Sequence, residues 1–517
     1  QNLEFHDSLV IQCSPECGRY AVAKRPLVKG EILYKELPYC TVLLRHCWPY
    51  FCYHCLAPLA LATKPQPQSV CCNDCGIRFC DADCCRRASD YHRFECADLD
   101  LIESTGIGHL AYRILLTACS SLSPSGASQW LAGAPVPRCF PADYSAVDGL
   151  CDNAEHHQLD DVAKYRQVAR QLAGVAVSRG LLAGPDRPSD RLTELFASQL
   201  LRHVMQLICN AHAILSHYEF NSAENCLTLQ LGEQRIASGV YPLTSCLNHS
   251  CQPSVASTFS TLTGNCGLLT VRTLTDLAAG KQVYNCYGPH YLRHEWSERR
   301  QSLAEQYFFE CQCPHCVSRD SGNQRHRALR CPGEACRGTD QPALLTWTGD
   351  DLRQEPRLVC LSCRSAFSDP TLLASLASKL DAANSQLTQA ALLAEDRPAE
   401  ALALLRNCQA RLTACAHSGN SRLGRCHDLQ AKCFSRLGKH RQAAGHAIRS
   451  ATIVKVQFGG ESVEYGKELF KASELLALAG ERDRLQQTAD ICLRLLRLYY
   501  GNADSCPLIS ELEVMLL

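Results

Sequence analysis

No stretch of this chain stays apolar for the ~18–20 residues that a membrane-spanning helix needs. There is no surplus of charge either: Lys+Arg and Asp+Glu are both 52, a formal net charge of zero. That excludes a global pull toward nucleic acid or an anionic membrane, and it leaves a local basic patch open. A basic leader followed by a small-residue cleavage site is also missing. The first residue is Gln1 rather than Met, so the chain reads as a piece of a longer one.

What is abundant is cysteine, at 35 of 517 residues. Length alone implies about three or four folding units. A disulfide scaffold suits small secreted chains, and this one is large with ample apolar residues. Its cysteines come as C-x2-C pairs beside well-spaced histidines, which favours thiolate–zinc sites in a reducing compartment, cytoplasm and nucleus.

Along the chain the hydrophobic period changes. Val10, Ile11, Tyr20, Val22, Ile32 and Leu33 read as short strands with Gly18 and Gly30 as turn residues. Residues 52–96 are dense in Cys and His and poor in apolar runs, so they fold only around metal. HLAYRILLTACSSL and LFASQLLRHVMQLICNAHAIL carry helical spacing, with an irregular Pro/Gly/Ser-rich loop (SPSGASQWLAGAPVPRCFPADYS) between them and a break near 180–190. CLTLQL, ASGVYPL, GLLTVRTL and KQVYNCYG read as short strands, and EWSERRQSLAEQYFF as a helix. Beyond about residue 370 the pattern is helical and repeats: turn positions recur at Asp396, Gly438 and Gly480, 42 residues apart, and at Gly459 and Gly501 with the same spacing. Paired helices at this period suggest a TPR-like solenoid, the alternative being an irregular bundle.

Eight ligand-type residues pair as Cys52-x2-Cys55, Cys72-x2-Cys75, Cys80-x3-Cys84 and His92-x3-Cys96. Such spacers let a tight turn or one helical turn aim two donors at one ion, and eight donors close two tetrahedral sites with no position for water. The role is structural. Cys71 and Cys85 adjoin ligands; Cys72 is preferred because it gives the C-x2-C spacing. The order resembles the MYND zinc finger, Phe79 before the fifth ligand included. That resemblance implies interleaving: Cys52, Cys55, Cys80 and Cys84 on one ion, Cys72, Cys75, His92 and Cys96 on the other. It also implies binding of proline-rich peptides. Arg86, Arg87 and Arg93 could form a basic surface or a solvated face.

GVYPLTSCLNHSCQPS, residues 239–254, resembles the SET-domain motif N-H-S-C-x-P at Asn248, His249, Ser250, Cys251 and Pro253. Three further segments stand in the family's order: GRYAVAKRPLVKGEIL from Gly18, NCYGPHY at 285–291, and the post-SET-like QYFFECQCPHC at 306–316. A SET domain interrupted by MYND and followed by post-SET and a helical tail is similar to the SET and MYND domain-containing (SMYD) family. The resemblance covers essentially the whole chain.

It implies an α+β multidomain fold. The SET β-core (1–50 and 206–310) is interrupted by a MYND finger (51–96) and a helical insert (97–205). A post-SET and zinc-ribbon segment (311–366) and a TPR-like helical domain (367–517) follow. It implies a protein-lysine N-methyltransferase acting on histone or non-histone proteins, with S-adenosylmethionine as methyl donor. Gly18 and Arg19 would line the methionine end of the cofactor, Asn248 and His249 would hold its amino-acid and adenine ends, Asn210 and Ser245 would add contacts, and Phe309 would stack on adenine. Tyr287 would orient the incoming lysine toward the methyl. Cys311, Cys313 and Cys316 would take Cys251 as their fourth ligand. Two segments depart from the usual pattern: Tyr20 replaces the second glycine of the opening, and Lys281–Gln282 follow Gly280 where the family has two glutamates.

Cys331-x4-Cys336 and Cys360-x2-Cys363 suggest a fourth zinc in a small ribbon, the alternative being free thiols. The rival to an enzyme is a weakly active or inactive scaffold, because MYND and TPR-like modules both take peptides. The TPR-like surface would then receive an acidic chaperone tail or cap the SET cleft. A zinc hydrolase is excluded, since each candidate metal site is closed by four ligands.

Overall fold

Alternation of apolar and polar residues pairs the first two strands. In the computed structural model, Leu9–Ser14 (β1) and Gly18–Ala23 (β2) form an antiparallel hairpin from Leu9↔Ala23 to Ser14↔Gly18. Gly18 closes the turn at φ +63° and Gly30 turns at φ +85°, a region that glycine enters without steric cost. Tyr20 lies half-buried on β2 opposite Gln12. The described residues are 8–15, 17–59, 69–120, 142–182, 190–221, 226–260, 267–319, 322–347, 356–503 and 505–517. The chain divides into two compact units. The first is Gln1–Tyr287 with Arg300–Cys311 and Asn502–Pro507; the second is Gly288–Arg299, Gln312–Gly501 and Leu508–Leu517.

In the first unit Ile32–Glu36 (β3) joins the sheet β10-β11-β3 with Val255–Phe259 (β10) and Leu269–Thr273 (β11). Thr41–Leu43 (β4) joins β4-β8-β7 with Ala211–Asn221 (β7) and Cys226–Val240 (β8). The pattern CLTLQL…ASGV thus forms one long strand rather than two, accommodated by register shifts between Ile214/Leu215 and Ser216/Tyr218. Asn248–His249 (β9) runs parallel to Tyr284–Asn285 (β12), with Tyr284↔Asn248 and Asn285↔His249. Leu33, Val271, Leu269, Val283 and Leu247 bury together beneath these sheets.

The finger contributes the ribbon Val70–Cys71 (β5) with Arg78–Phe79 (β6) and the helix Ala82–His92 (α1). Asp81 caps α1, its side chain accepting from the Cys84 N–H at 2.7 Å. The insert follows as Leu99–Ser104 (α2), Ile107–Ser120 (α3), Ala142–Asp148 (α4), Leu159–Ser178 (α5) and Asp190–Asn210 (α6). Leu115, Leu172, Phe196, Leu200 and Val204 form its core. Most of the expected irregular loop lies outside the described residues, but its end, from Ala142, opens α4.

The periodic run LFASQLLRHVMQLICNAHAIL corrects differently: helix stops at Asn210 and AHAIL is the start of β7. The Asn210 amide donates to the Gln206 carbonyl at 2.8 Å and to the Cys151 carbonyl at 3.1 Å, while Ala211 pairs with Val240. A short apolar run fits either state, and here the pairing partner decides.

In the second unit Leu329–Arg330 (β13), Pro342–Trp347 (β14), Pro356–Cys360 (β15) and Ala366–Phe367 (β16) make a four-stranded antiparallel ribbon. In sequence it is preceded by the helix Trp296–Tyr307 (α7), which from Arg300 on belongs to the first unit, and by the short Pro314–Val317 (α8). Helices Pro370–Leu393 (α9), Pro398–Cys415 (α10), Ser421–Arg436 (α11), His440–Phe458 (α12), Val463–Leu478 (α13), Arg482–Tyr500 (α14) and Leu508–Met515 (α15) follow. The repeat spacing has a physical counterpart. Gly438 and Gly480 adopt φ +69° and +68° between α11/α12 and α13/α14, and Gly459 and Gly501 adopt φ +90° and +84° after α12 and α14. Among the described residues no helix is long and apolar enough to cross a membrane.

Candidate functional site: two zinc clusters and an aromatic pocket

The eight finger donors meet as two interleaved sets, Cys52/Cys55/Cys80/Cys84 and Cys72/Cys75/His92/Cys96. Cys55–Cys80 and Cys80–Cys84 sulfurs lie 3.6 and 3.4 Å apart, Cys72–Cys96 sulfurs 3.6 Å, and Cys75 Sγ lies 3.3 Å from His92 Nε2. Thiolates at ~2.3 Å around a tetrahedral zinc stand about 3.8 Å from one another, so both sets fit the ion. Cys71 and Cys85 stay outside the sets. The ribbon cysteines gather likewise in the second unit, with Cys331–Cys363 at 3.9 Å and Cys336–Cys360 at 3.8 Å. Of the post-SET ligands, Cys251 and Cys311 face each other at 3.9 Å in the first unit, and Cys313 and Cys316 belong to the second.

A buried charge network fastens the finger to the insert. Arg113 on α3 is 2 % exposed and Glu95, next to the ligand Cys96, is 0 %. Arg113 donates to Glu95 at 2.5 and 2.7 Å, to the Thr41 carbonyl at 3.0 Å and to the Tyr53 hydroxyl at 2.9 Å. Burial pushes the Glu95 carboxyl up, but the Arg113 guanidinium and His109 outweigh it and hold it down at about 2.

The second centre forms where β9 lies along β12. That pairing sets Asn248 and His249 beside the strand leading to Tyr287. The Tyr287 N–H donates to His249 Nδ1 at 3.0 Å, and its hydroxyl donates to the Leu247 carbonyl at 2.8 Å. Ring centroids of His249–Tyr287, His249–Phe309 and Tyr287–Phe309 are 5.3, 6.0 and 6.4 Å apart. The Asn248 amide donates to the Cys17 carbonyl at 3.4 Å, beside Gly18, and Arg19 lies half-buried on β2 opposite Cys13. Ser245 Oγ is buried and has no hydrogen-bond partner. Asn210, its amide spent on two carbonyls, ends α6. The segment from Gln282 pairs with β2 through Val283 N–H to the Ala21 carbonyl at 2.9 Å, and Lys281 serves through its carbonyl, which accepts from Ala23.

Several residues at this centre are given no role by the motifs. Glu36 on β3 accepts from the Leu243 and Thr244 N–H groups at 2.8 and 2.9 Å and from the Thr244 hydroxyl at 2.7 Å, holding the turn before the N-H-S-C segment. Tyr307 donates to the Tyr287 carbonyl at 3.1 Å with the two rings 4.9 Å apart. Burial pushes both phenols up, Tyr307 to about 12 and Tyr287 further. Phe308 sits at φ +60°, a left-handed conformation that costs a non-glycine residue about 1–2 kcal/mol. This turn sends Phe308 toward His156 and His157, centroids at 5.8 and 4.9 Å, and leaves Phe309 for His249 and Tyr287. Between them opens a cavity of about 610 Å³, walled by Phe308, Phe309, Tyr165, His157, Ile208 and Asp161 among others. Only the doublet Phe308–Phe309 hinted at this in the sequence.

The residues fit S-adenosylmethionine. The cavity offers an aromatic wall and the Asp161 carboxylate, which suit a nucleoside, and apart from it the Ser245 hydroxyl is buried and unsatisfied.

The sequence pattern described as "SET domain" matches residues 18–288. The protein-lysine N-methyltransferase SMYD4 of Mus musculus is 28% identical over 538 residues, covering 89% of this chain and 63% of that protein. The histone-lysine N-methyltransferase SMYD3 of Mus musculus is 27% identical over 310 residues, 59% of each. This chain therefore spans less than two thirds of either relative. A solved structure described as the SET domain of LSMT bound to lysine and AdoHcy aligns at 12% identity with a TM-score of 0.24, covering 95% of this chain and 88% of that one, a level at which no shared fold follows. With the SET pattern running through just over half of its residues and two zinc clusters interrupting that pattern, the chain belongs to the SET-domain family, among the SET and MYND domain-containing proteins.

Proposed function

We propose that the chain is a protein-lysine N-methyltransferase whose pocket lies between Tyr287, Phe309 and the Asn248–His249 strand. One observation carries the reading: β9 and β12, far apart in sequence, hold an anchored tyrosine whose ring lies 6.4 Å from Phe309, a wall of the aromatic cavity. S-adenosylmethionine, when bound, supplies an activated methyl group on a good leaving group. What remains for the protein is orientation of the amine and exclusion of water, effects worth up to ~7–11 kcal/mol in favourable cases.

Tyr287 suits that task as a positioning group. Its proton lies on the Leu247 carbonyl, so it presents oxygen lone pairs to the pocket. Burial keeps the phenol protonated near neutral pH, so it is no general base, and the lysine amine must lose its proton to solvent. Tyr307 and His249 pack and hydrogen-bond the tyrosine from two sides. Phe309 offers a face to adenine; Asn248, His249 and Ser245 supply polar contacts, with Gly18 and Arg19 at the methionine end and Asn210 at the margin.

Further parts of the reading are proposed with it. Zinc fills the two finger clusters and the ribbon cluster. The finger takes proline-rich peptides. The helices from α9 onward are TPR-like and receive an acidic chaperone tail; Arg406, Gln409 and Thr413 stand along one face of α10. The protein works in cytoplasm and nucleus, where its thiolates stay reduced. Substrate lysines sit on histone or non-histone proteins, and the six-part division given above describes the chain.

Calorimetric titration of the zinc-loaded chain with S-adenosylmethionine, then methyl transfer to a lysine-peptide panel, tests the enzyme reading. Binding and transfer are expected, and Tyr287→Phe should lower kcat by at least about tenfold with cofactor Kd little changed. Absence of cofactor binding with zinc fully loaded refutes it.

A further inference from the structure

The β10-β11-β3 sheet carries an arginine without a counter-charge. Arg272 on β11 is 7 % exposed, and its Nη1 is buried without a hydrogen-bond partner. It forms no ion pair among the described residues, and burial alone perturbs it. A guanidinium cannot shed its proton at any relevant pH, so it cannot escape the cost of burial by neutralising, as a lysine would.

Strand alternation defines what shares its face. Thr270, two residues away, is 5 % exposed. Across on β10 stand Ala256 opposite Arg272 and Thr258 opposite Thr270. Thr258 Oγ1 is also buried without a partner. On β3, Lys35 pairs with Thr270 and is exposed at the rim, while a register shift between Val271 and Arg272 brings Ile32 opposite the arginine. The face therefore gathers two cations, two hydroxyls and no carboxylate. Ala256, opposite the arginine, brings no polar atom of its side chain to the guanidinium. Glu36, the acid of β3, points to the other face, where it holds the Thr244 turn.

We infer that this face binds one small anion, a carboxylate or an inorganic oxyanion, clasped by Arg272 and the Thr258 hydroxyl with Lys35 at the entrance. The near-complete burial of Arg272 admits an ion rather than a peptide. Both orphaned donors would then be satisfied, and the charge would be paired as buried charges generally are. The site is independent of the methyltransferase reading, because none of its residues belongs to the pocket around Tyr287.

The test follows thermal unfolding of the zinc-loaded full chain while inorganic phosphate or acetate is titrated at constant ionic strength, wild type against Arg272→Met. A ligand that binds only the folded state raises the midpoint progressively once its concentration exceeds Kd, whereas the general salt effect is common to both proteins. The wild-type midpoint is expected to climb above that common effect and the Arg272→Met midpoint is not. The stronger response, to acetate or to phosphate, names the anion class. Calorimetry on Thr258→Val gives a second readout that does not depend on the arginine variant folding: Kd should rise about 3–10-fold for one lost hydrogen bond. Identical responses of wild type and Arg272→Met, or an unchanged Kd in Thr258→Val, overturn the site.

Discussion

Eight donors within residues 52–96 make the finger, whereas the pocket around Tyr287 takes its walls from stretches as far apart as Cys17 and Phe309. Both lie in one compact unit. In the finger, spacers of two or three residues already aim neighbouring donors at one ion, and the metal supplies the folding energy. In the pocket the walls come from segments far apart in sequence, around Cys17, Asn248–His249, Tyr287 and Tyr307–Phe309. Asn248 meets Tyr284 only because a parallel pairing forms, and such pairing needs its connecting segments in place first. A local, metal-driven element should fail all at once, while a long-range pocket should lose function one wall at a time.

The sharpest way to break the comparison is Cys80→Ser. Cys80 lies within hydrogen-bonding distance of two co-ligands, so its loss opens a closed site. Structural zinc contributes on the order of 10–16 kcal/mol in isolated fingers. The expected result is loss of at least one zinc equivalent by elemental analysis, with the finger's protection from proteolysis lost as well. Retention of full zinc content would mean that Cys71 or Cys85 can stand in, and the donor set would need redrawing.

Arg113→Met comes next, because it leaves the finger's own donors intact. It leaves the buried Glu95 carboxylate without its guanidinium, with only His109 and the Tyr53 hydroxyl beside it, a loss of up to about 3–5 kcal/mol. Adding Glu95→Gln removes that charge and should recover much of the loss, since the two residues act as a pair. Thermal unfolding of the single and double variants measures this. Equal midpoints for both would show that packing, not charge, joins finger and insert.

A smaller effect is expected from the pocket. Tyr307→Phe removes the hydrogen bond to the Tyr287 carbonyl, worth about 1 kcal/mol, and leaves the packed ring in place. If Tyr307 positions Tyr287, methyl transfer should slow several-fold while zinc content and cofactor Kd hold. A change in Kd alone would move Tyr307 from the lysine side to the cofactor side.

These differences explain what was readable beforehand. The choice of Cys72 over Cys71 followed from spacing, because two residues between sulfurs is a local constraint. The 42-residue repeat was readable for the same reason: Gly438 and Gly480 each end a helix in nearly the same left-handed conformation. The motif residues Asn248, His249, Tyr287 and Phe309 were found as letters, and the contacts among them came from topology. Glu36, Tyr307 and Phe308 were missed because nothing near them in sequence records their partners; Glu36 acts 207 residues away on Leu243. AHAIL was misread as helix because its apolar run fits both periods, and only β8 selects the strand.

Gly18→Ala should give the smallest effect and divides backbone strain from crowding. At φ +63° an added Cβ meets nothing within 4 Å, so any cost comes from the left-handed conformation alone. That cost is about 1 kcal/mol. Thermal unfolding should show it, and Gly18→Asn, which tolerates this conformation better, should recover part of it. Zinc content should stay constant, because the hairpin is outside the finger. The cofactor is the informative readout. Gly18 follows Cys17, whose carbonyl accepts from Asn248, so a backbone that relaxes out of the left-handed region pulls that carbonyl away and weakens cofactor binding along with stability. If stability falls while cofactor Kd holds, the β1–β2 turn is a fold element only, and the pocket begins at Asn248.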